Sequence, residues 1–131
     1  MNHNINTKII WNHAGWSDLA TKNSLYSDMA TPQLFEKLME KHPNLYSSIK
    51  IRKEIITSPI SIFNRNSEIP SDWIEVLNKY PDRFMIGSDI KLGMIEDQFK
   101  MINDTRRFLD QLLSVILKGI ERENAENIFK I

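Results

Sequence analysis

Tyr80-Pro81-Asp82-Arg83-Phe84-Met85-Ile86-Gly87-Ser88-Asp89 is a short apolar run entered through Pro-Asp and stopped by Gly-Ser-Asp. Arg83 to Ile86 favours extended backbone and Gly87 interrupts it, so the segment reads as one buried strand. Barrel enzymes keep their chemistry at the carboxyl ends of such strands. Asp89 is therefore the first candidate site residue.

The same joint occurs once before. Lys41-His42-Pro43-Asn44-Leu45-Tyr46 aligns with Lys79-Tyr80-Pro81-Asp82-Arg83-Phe84 at an offset of 38 residues. Leu45 to Ile51, with aromatic and branched residues, is the expected second strand. Lys8-Ile9-Ile10-Trp11 precedes it by a similar interval and exits into Asn12-His13-Ala14-Gly15, which has loop composition. Between strands, Thr31-Pro32 supplies an N-cap and a first-turn proline for a helix carrying Leu34, Phe35, Leu38 and Met39 to Lys41. Pro70-Ser71-Asp72 opens a second helix through Trp73, Ile74 and Leu77, and Arg52 to Ile69 is a long loop. Strand, loop, helix, strand at a regular interval is the pattern of a parallel βα array, and doubly wound sheets and barrels both show it.

After Asp89 the spacing of Ile95, Phe99, Ile102, Phe108, Leu112 and Ile116 predicts a long amphipathic helix, broken near Asn103-Asp104. Gly119 and Asn124 mark its expected end, before a short last helix to Phe129.

The 131 residues, 41% of them apolar, suffice for one core, and the whole of 1–131 is expected to be a single domain. Seventeen basic residues balance seventeen acidic ones with no basic run, which argues against a nucleic-acid partner. Met1 to Lys8 is polar and charges interrupt every apolar stretch, so neither a signal peptide nor a membrane span is expected. The absence of cysteine fits a cytoplasmic location and leaves only His and carboxylates to hold a metal.

Trp11-Asn12-His13-Ala14-Gly15, His42-Pro43-Asn44-Leu45-Tyr46, the Tyr80 to Asp89 run, and Glu123-Asn124-Ala125 with Ile128-Phe129 occur in a telling order. Together, from about Ile9 to Ile131, they resemble the C-terminal part of the amidohydrolase-related family, metal-dependent (β/α)8-barrel enzymes. The resemblance implies an α/β fold: about three parallel strands plus C-terminal helices, the last third of an incomplete TIM barrel. A closed barrel takes eight strands and roughly 250 residues. The open edge of such a piece must be covered by its own loops, by another copy, or by a complementing chain.

In that family the sixth strand ends in a histidine and the eighth in an aspartate, matched here by His13 and Asp89. The resemblance makes both catalytic and both metal ligands, with zinc as the implied ion. His13 would face metal or substrate, and Asp89 would take a proton from metal-bound water. The implied reaction is hydrolysis of a C–N or C–O bond in a small molecule, or decarboxylation. Lys50 and Arg52, near the top of the second strand, are candidates for binding an anionic group, against the plainer reading of a solvated basic pair. Trp11 is close enough to His13 to line a pocket, although packing is its plainer role, and His42 is expected to be structural.

The chain has three histidines and no His-x-His pair, which such enzymes carry on strand one. The isolated chain is therefore expected to be inactive. The alternative is a non-catalytic remnant that acts as a self-associating or partner-binding βα module.

Overall fold

Thr31 starts the first helix as the sequence predicts: its Oγ1 accepts from the Leu34 amide at 3.2 Å and Pro32 occupies the first turn. The computed structural model describes residues 6–14, 30–51, 60–88 and 95–130. In chain order these form β1 (Ile9–Trp11), α1 (Pro32–Lys41), β2 (Leu45–Ile49), α2 (Ser71–Lys79), β3 (Phe84–Ile86), α3 (Ile95–Leu109), α4 (Ser114–Lys118), a π-helical turn (Gly119–Glu123) and α5 (Asn124–Phe129).

The three strands form one parallel sheet in the order β1-β2-β3. Ile9, Ile10 and Trp11 lie opposite Leu45, Tyr46 and Ser47, while Ser47, Ser48 and Ile49 lie opposite Phe84, Met85 and Ile86. Side chains alternate across a sheet. One face therefore carries Ile9, Trp11, Leu45, Ser47, Ile49, Phe84 and Ile86, and the other Ile10, Tyr46, Ser48 and Met85.

The first face packs on α1 and α2. Phe35, fully buried on α1, sits with its ring centroid 4.6 Å from Trp11, 5.3 Å from Trp73 of α2 and 6.3 Å from Phe84. Truncating such a side chain to alanine costs about 3–5 kcal/mol. Ser47, buried in the same layer, stays satisfied by donating to the Trp11 carbonyl at 2.6 Å. The Trp73 indole likewise donates to the Ile60 carbonyl. At the surface Lys79 reaches Glu36 at 2.7 Å, and that hydrogen bond raises the Lys79 pKa above its ordinary value.

His42 caps α1 through its backbone, donating to the Leu38 carbonyl and accepting from the Leu45 amide. This is the structural position expected of it. The described part of the long loop, residues 60–69, is held by Asn64, whose Oδ1 accepts from the amides of Asn66 and Glu68. Gln111 joins this loop to the helical segment through Ser67 and Ile69, and Phe63 meets Phe108 edge to face.

The long helix departs from the sequence reading in two places. α3 runs unbroken through Asn103-Asp104, because Asp104 is buried in an ion pair with Lys100 one turn earlier at 2.6 Å, with Arg107 3.8 Å away. The interruption falls at residues 110–113 instead. α4 ends at Lys118 with Gly119 as its C-cap and a short last helix runs Asn124–Phe129, as expected, but the backbone stays helical between them through the π-helical turn. A Cβ on Gly119 would stand 3.2 Å from the Asn124 side chain and 3.3 Å from the Pro81 carbonyl, so glycine serves close packing.

That packing covers the outer edge of β3. The buried Asn124 carboxamide donates to the Pro81 and Phe84 carbonyls, each at 2.7 Å, and so satisfies an edge carbonyl of the strand. Among the described residues no helix is long and apolar enough to cross a membrane.

Candidate functional site

The face of the sheet opposite α1 and α2 carries a cavity of about 400 Å³. Ile10 and Met85 supply apolar walls from β1 and β3, with Ser48 of β2 between them. Asn12 and His13, just beyond β1, and Gly87, just beyond β3, line its carboxyl end. Phe129, at the end of α5, is the contribution from outside the sheet. In open α/β sheets ligands bind outside the carboxyl ends of the strands, and this cavity reaches that end.

Local geometry draws the two exits together on Ser48. His13 adopts left-handed backbone, φ 66°, a conformation in which histidine is enriched among non-glycine residues. The chain turns there while staying tied to β2: the Ala14 amide donates to the Ser48 carbonyl at 2.9 Å, and the His13 amide to Ser48 Oγ at 3.4 Å. The Ser48 hydroxyl gives its own proton to Asn12 Oδ1 at 3.0 Å.

On the other side, the Gly87 amide donates to the Ile49 carbonyl at 2.8 Å. A Cβ on Gly87 would lie 3.0 Å from Ser48 Cβ and 3.2 Å from Ser48 Oγ, so the Gly-Ser-Asp turn needs glycine to close on its neighbour. Ser48 is thus the hub of the site, a role the sequence reading did not assign. A signal was present: two consecutive serines in an otherwise apolar buried strand must each find a partner. Asn12 and Phe129 stood in the quoted motifs without a role.

Of the expected site residues, His13 lines the cavity. Trp11 stacks on Phe35 at the helix-covered face and is not among the residues lining the cavity. Lys50 is only 5% exposed, unlike a solvated basic residue, and lines neither of the two described cavities. Asp89 and Arg52 lie outside the described residues.

A second cavity, about 220 Å³, lies between Ile51, Ile86 and the Met101–Leu109 face of α3, with Arg106 and Glu121 at its margin. Ile86 belongs to both cavities.

Among the described side chains no three His, Asp or Glu residues come together as a metal-binding group. Of the two expected ligands only His13 is described. What the described cavity can do is bind: it has apolar walls and, at one end, the polar side chains of Asn12, His13 and Ser48.

Comparison with family models, with curated proteins and with solved structures returns no match. The class defined by fold and site is an α/β unit with a three-stranded parallel sheet and a cavity on the face opposite α1 and α2. The likeness to amidohydrolases is carried by the quoted motifs alone.

Proposed function

We propose that this chain is an arc of an amidohydrolase-type (β/α)8 barrel and contributes His13 and Asp89 to a site that hydrolyses a C–N or C–O bond in a small molecule. The observation that carries the reading is the sheet itself: three parallel strands in sequential order, α1 and α2 packed on one face, and a cavity on the other reaching the carboxyl ends. A singly wound arc has this arrangement, with the face opposite α1 and α2 turned to the barrel interior. β1 is the end strand of the described sheet, at which the preceding strands of a barrel would join.

In this site the His13 imidazole hydrogen-bonds the scissile carbonyl, and Asp89, two residues after Gly87, accepts the proton of the attacking water. The bond to the leaving nitrogen or oxygen then breaks and that atom takes up the proton. His13 and Asp89 are the residues that would hold a divalent ion, which would activate the water, and neither step above is routed through it.

The test is hydrolysis of small amides and esters by the chain together with a polypeptide bearing the His-x-His strand of such a barrel. Asp89→Asn is expected to lower turnover by about a hundredfold or more, the range of a lost general base. Unchanged turnover in Asp89→Asn overturns the reading.

Exposed apolar side chains favour a second reading, the non-catalytic self-associating module. Leu113 is 67% exposed, Val115 81% and Phe99 66%. Sedimentation of the purified chain separates the two: a self-associating module forms oligomers alone, whereas the arc requires the complementing chain.

A further inference from the structure

Two neighbours use the Ser48 hydroxyl at once. Ser48 is only 8% exposed, and its Oγ accepts from the His13 amide at 3.4 Å while giving its proton to Asn12 Oδ1 at 3.0 Å. A hydroxyl has one proton to give. An Asn12 carboxamide turned the other way would aim N–H groups at an oxygen that already accepts one, and would remove the acceptor of that proton. Ser48 therefore sets the orientation of Asn12, with the oxygen towards β2 and Nδ2 away from it.

Ser48 is itself held in place. Its carbonyl accepts from the Ala14 amide at 2.9 Å, and Gly87 closes on its side chain from β3. Asn12, by contrast, is exposed and lines the cavity beside His13. What Asn12 brings there is an amide nitrogen with two N–H donors, on a planar group whose oxygen is already engaged.

We infer that Asn12 binds the carbonyl oxygen of the substrate through Nδ2, and that Ser48 is the positioning residue that fixes this donor. The apolar body of the ligand lies against Ile10, Met85 and Phe129. A carbonyl oxygen has two lone pairs, so it accepts from Asn12 as well as from the His13 imidazole. A donor held before the ligand arrives loses little freedom on binding, and it stabilises the charge that builds on that oxygen when water attacks. The inference rests on the reading of this cavity as the substrate site and adds the pair of residues that recognises the acyl group.

The experiment is a titration of the Met85 methyl resonance of the full chain with benzamide and with thiobenzamide, which has the same shape but a weakly accepting sulfur in place of the oxygen. Benzamide is expected to shift the resonance saturably and to bind more tightly than thiobenzamide. Asn12→Ala, at an exposed position, weakens benzamide about fivefold, the value of one neutral hydrogen bond, and thiobenzamide by less than twofold. Asn12→Asp keeps an acceptor for Ser48 but removes the donor, and weakens benzamide at least as much as the alanine. Ser48→Ala weakens benzamide when Asn12 is present and leaves its affinity unchanged when residue 12 is already alanine, the coupling expected of a residue that acts through another. Absence of a saturable shift with benzamide, equal losses for the two probes in Asn12→Ala, parent-like binding in Asn12→Asp, or additive effects of the Asn12 and Ser48 substitutions overturns the inference. Turnover is not read in this titration, so the expected binding pattern with no hydrolysis in the complemented site sinks the catalytic reading alone.

Discussion

The two ends of the sheet are built from different materials. At the amino end, charged and amide side chains are spent on backbone carbonyls. Arg83 donates to the carbonyls of Pro43 and Leu45 and lies 5.2 Å over the Tyr46 ring, Lys8 binds the end of α5, and Asn124 binds Pro81 and Phe84. At the carboxyl end, Asn12, His13, Ser48 and Gly87 line a cavity. The difference teaches that one end of this sheet spends its polar groups on holding the backbone, while the other leaves them at a cavity.

Breaking the amino end has the largest expected effect on stability. Asn124→Ala removes two hydrogen bonds from a buried position and leaves the Phe84 edge carbonyl without that donor, at a cost of roughly 3 kcal/mol. Urea denaturation reads this as a lower midpoint with unchanged slope.

Gly87→Ala tests the carboxyl end and comes next. The new methyl group meets Ser48 at about contact-breaking distance and costs about 2 kcal/mol. Ser48→Gly removes both side-chain atoms the methyl meets, so in that background the same substitution costs markedly less. Equal costs in the two backgrounds contradict the close approach of the two strands.

The surface between α1 and α2 gives the smallest effect. Glu36→Gln leaves the melting temperature indistinguishable from that of the parent near neutral pH, because the Lys79 pair is exposed. The raised Lys79 pKa means that whatever the pair contributes is fully present below the ordinary lysine range and is lost as pH rises through the raised value. Any difference between parent and variant is therefore confined to pH below the raised value and vanishes above it, which a pH-melting comparison on both sides of pH ~10 checks.

Much of this architecture was legible locally. Thr31-Pro32 and the two helix-to-strand joints carry their own punctuation, so α1, β2 and β3 begin where local rules place them. The single direction of the sheet was not legible, because regular βα spacing serves doubly wound and singly wound sheets alike. The unbroken passage of α3 through Asp104 depends on partners one turn away in each direction, and the glycine at 119 on a neighbour in another element.

The candidate site divides the same way. His13 could be singled out from its place after a strand. Ser48 and Phe129 acquire roles only when three strands and the last helix meet, and no local pattern encodes that meeting.

The measurement that bears most directly on the division between the ends is turnover of small amides and esters by the chain assembled with a His-x-His-bearing barrel half, compared for His13→Ala and Lys8→Met with the urea midpoint of each. The account predicts that His13→Ala abolishes turnover and leaves the midpoint in place, while Lys8→Met lowers the midpoint and spares the chemical step. Retained turnover in His13→Ala contradicts it.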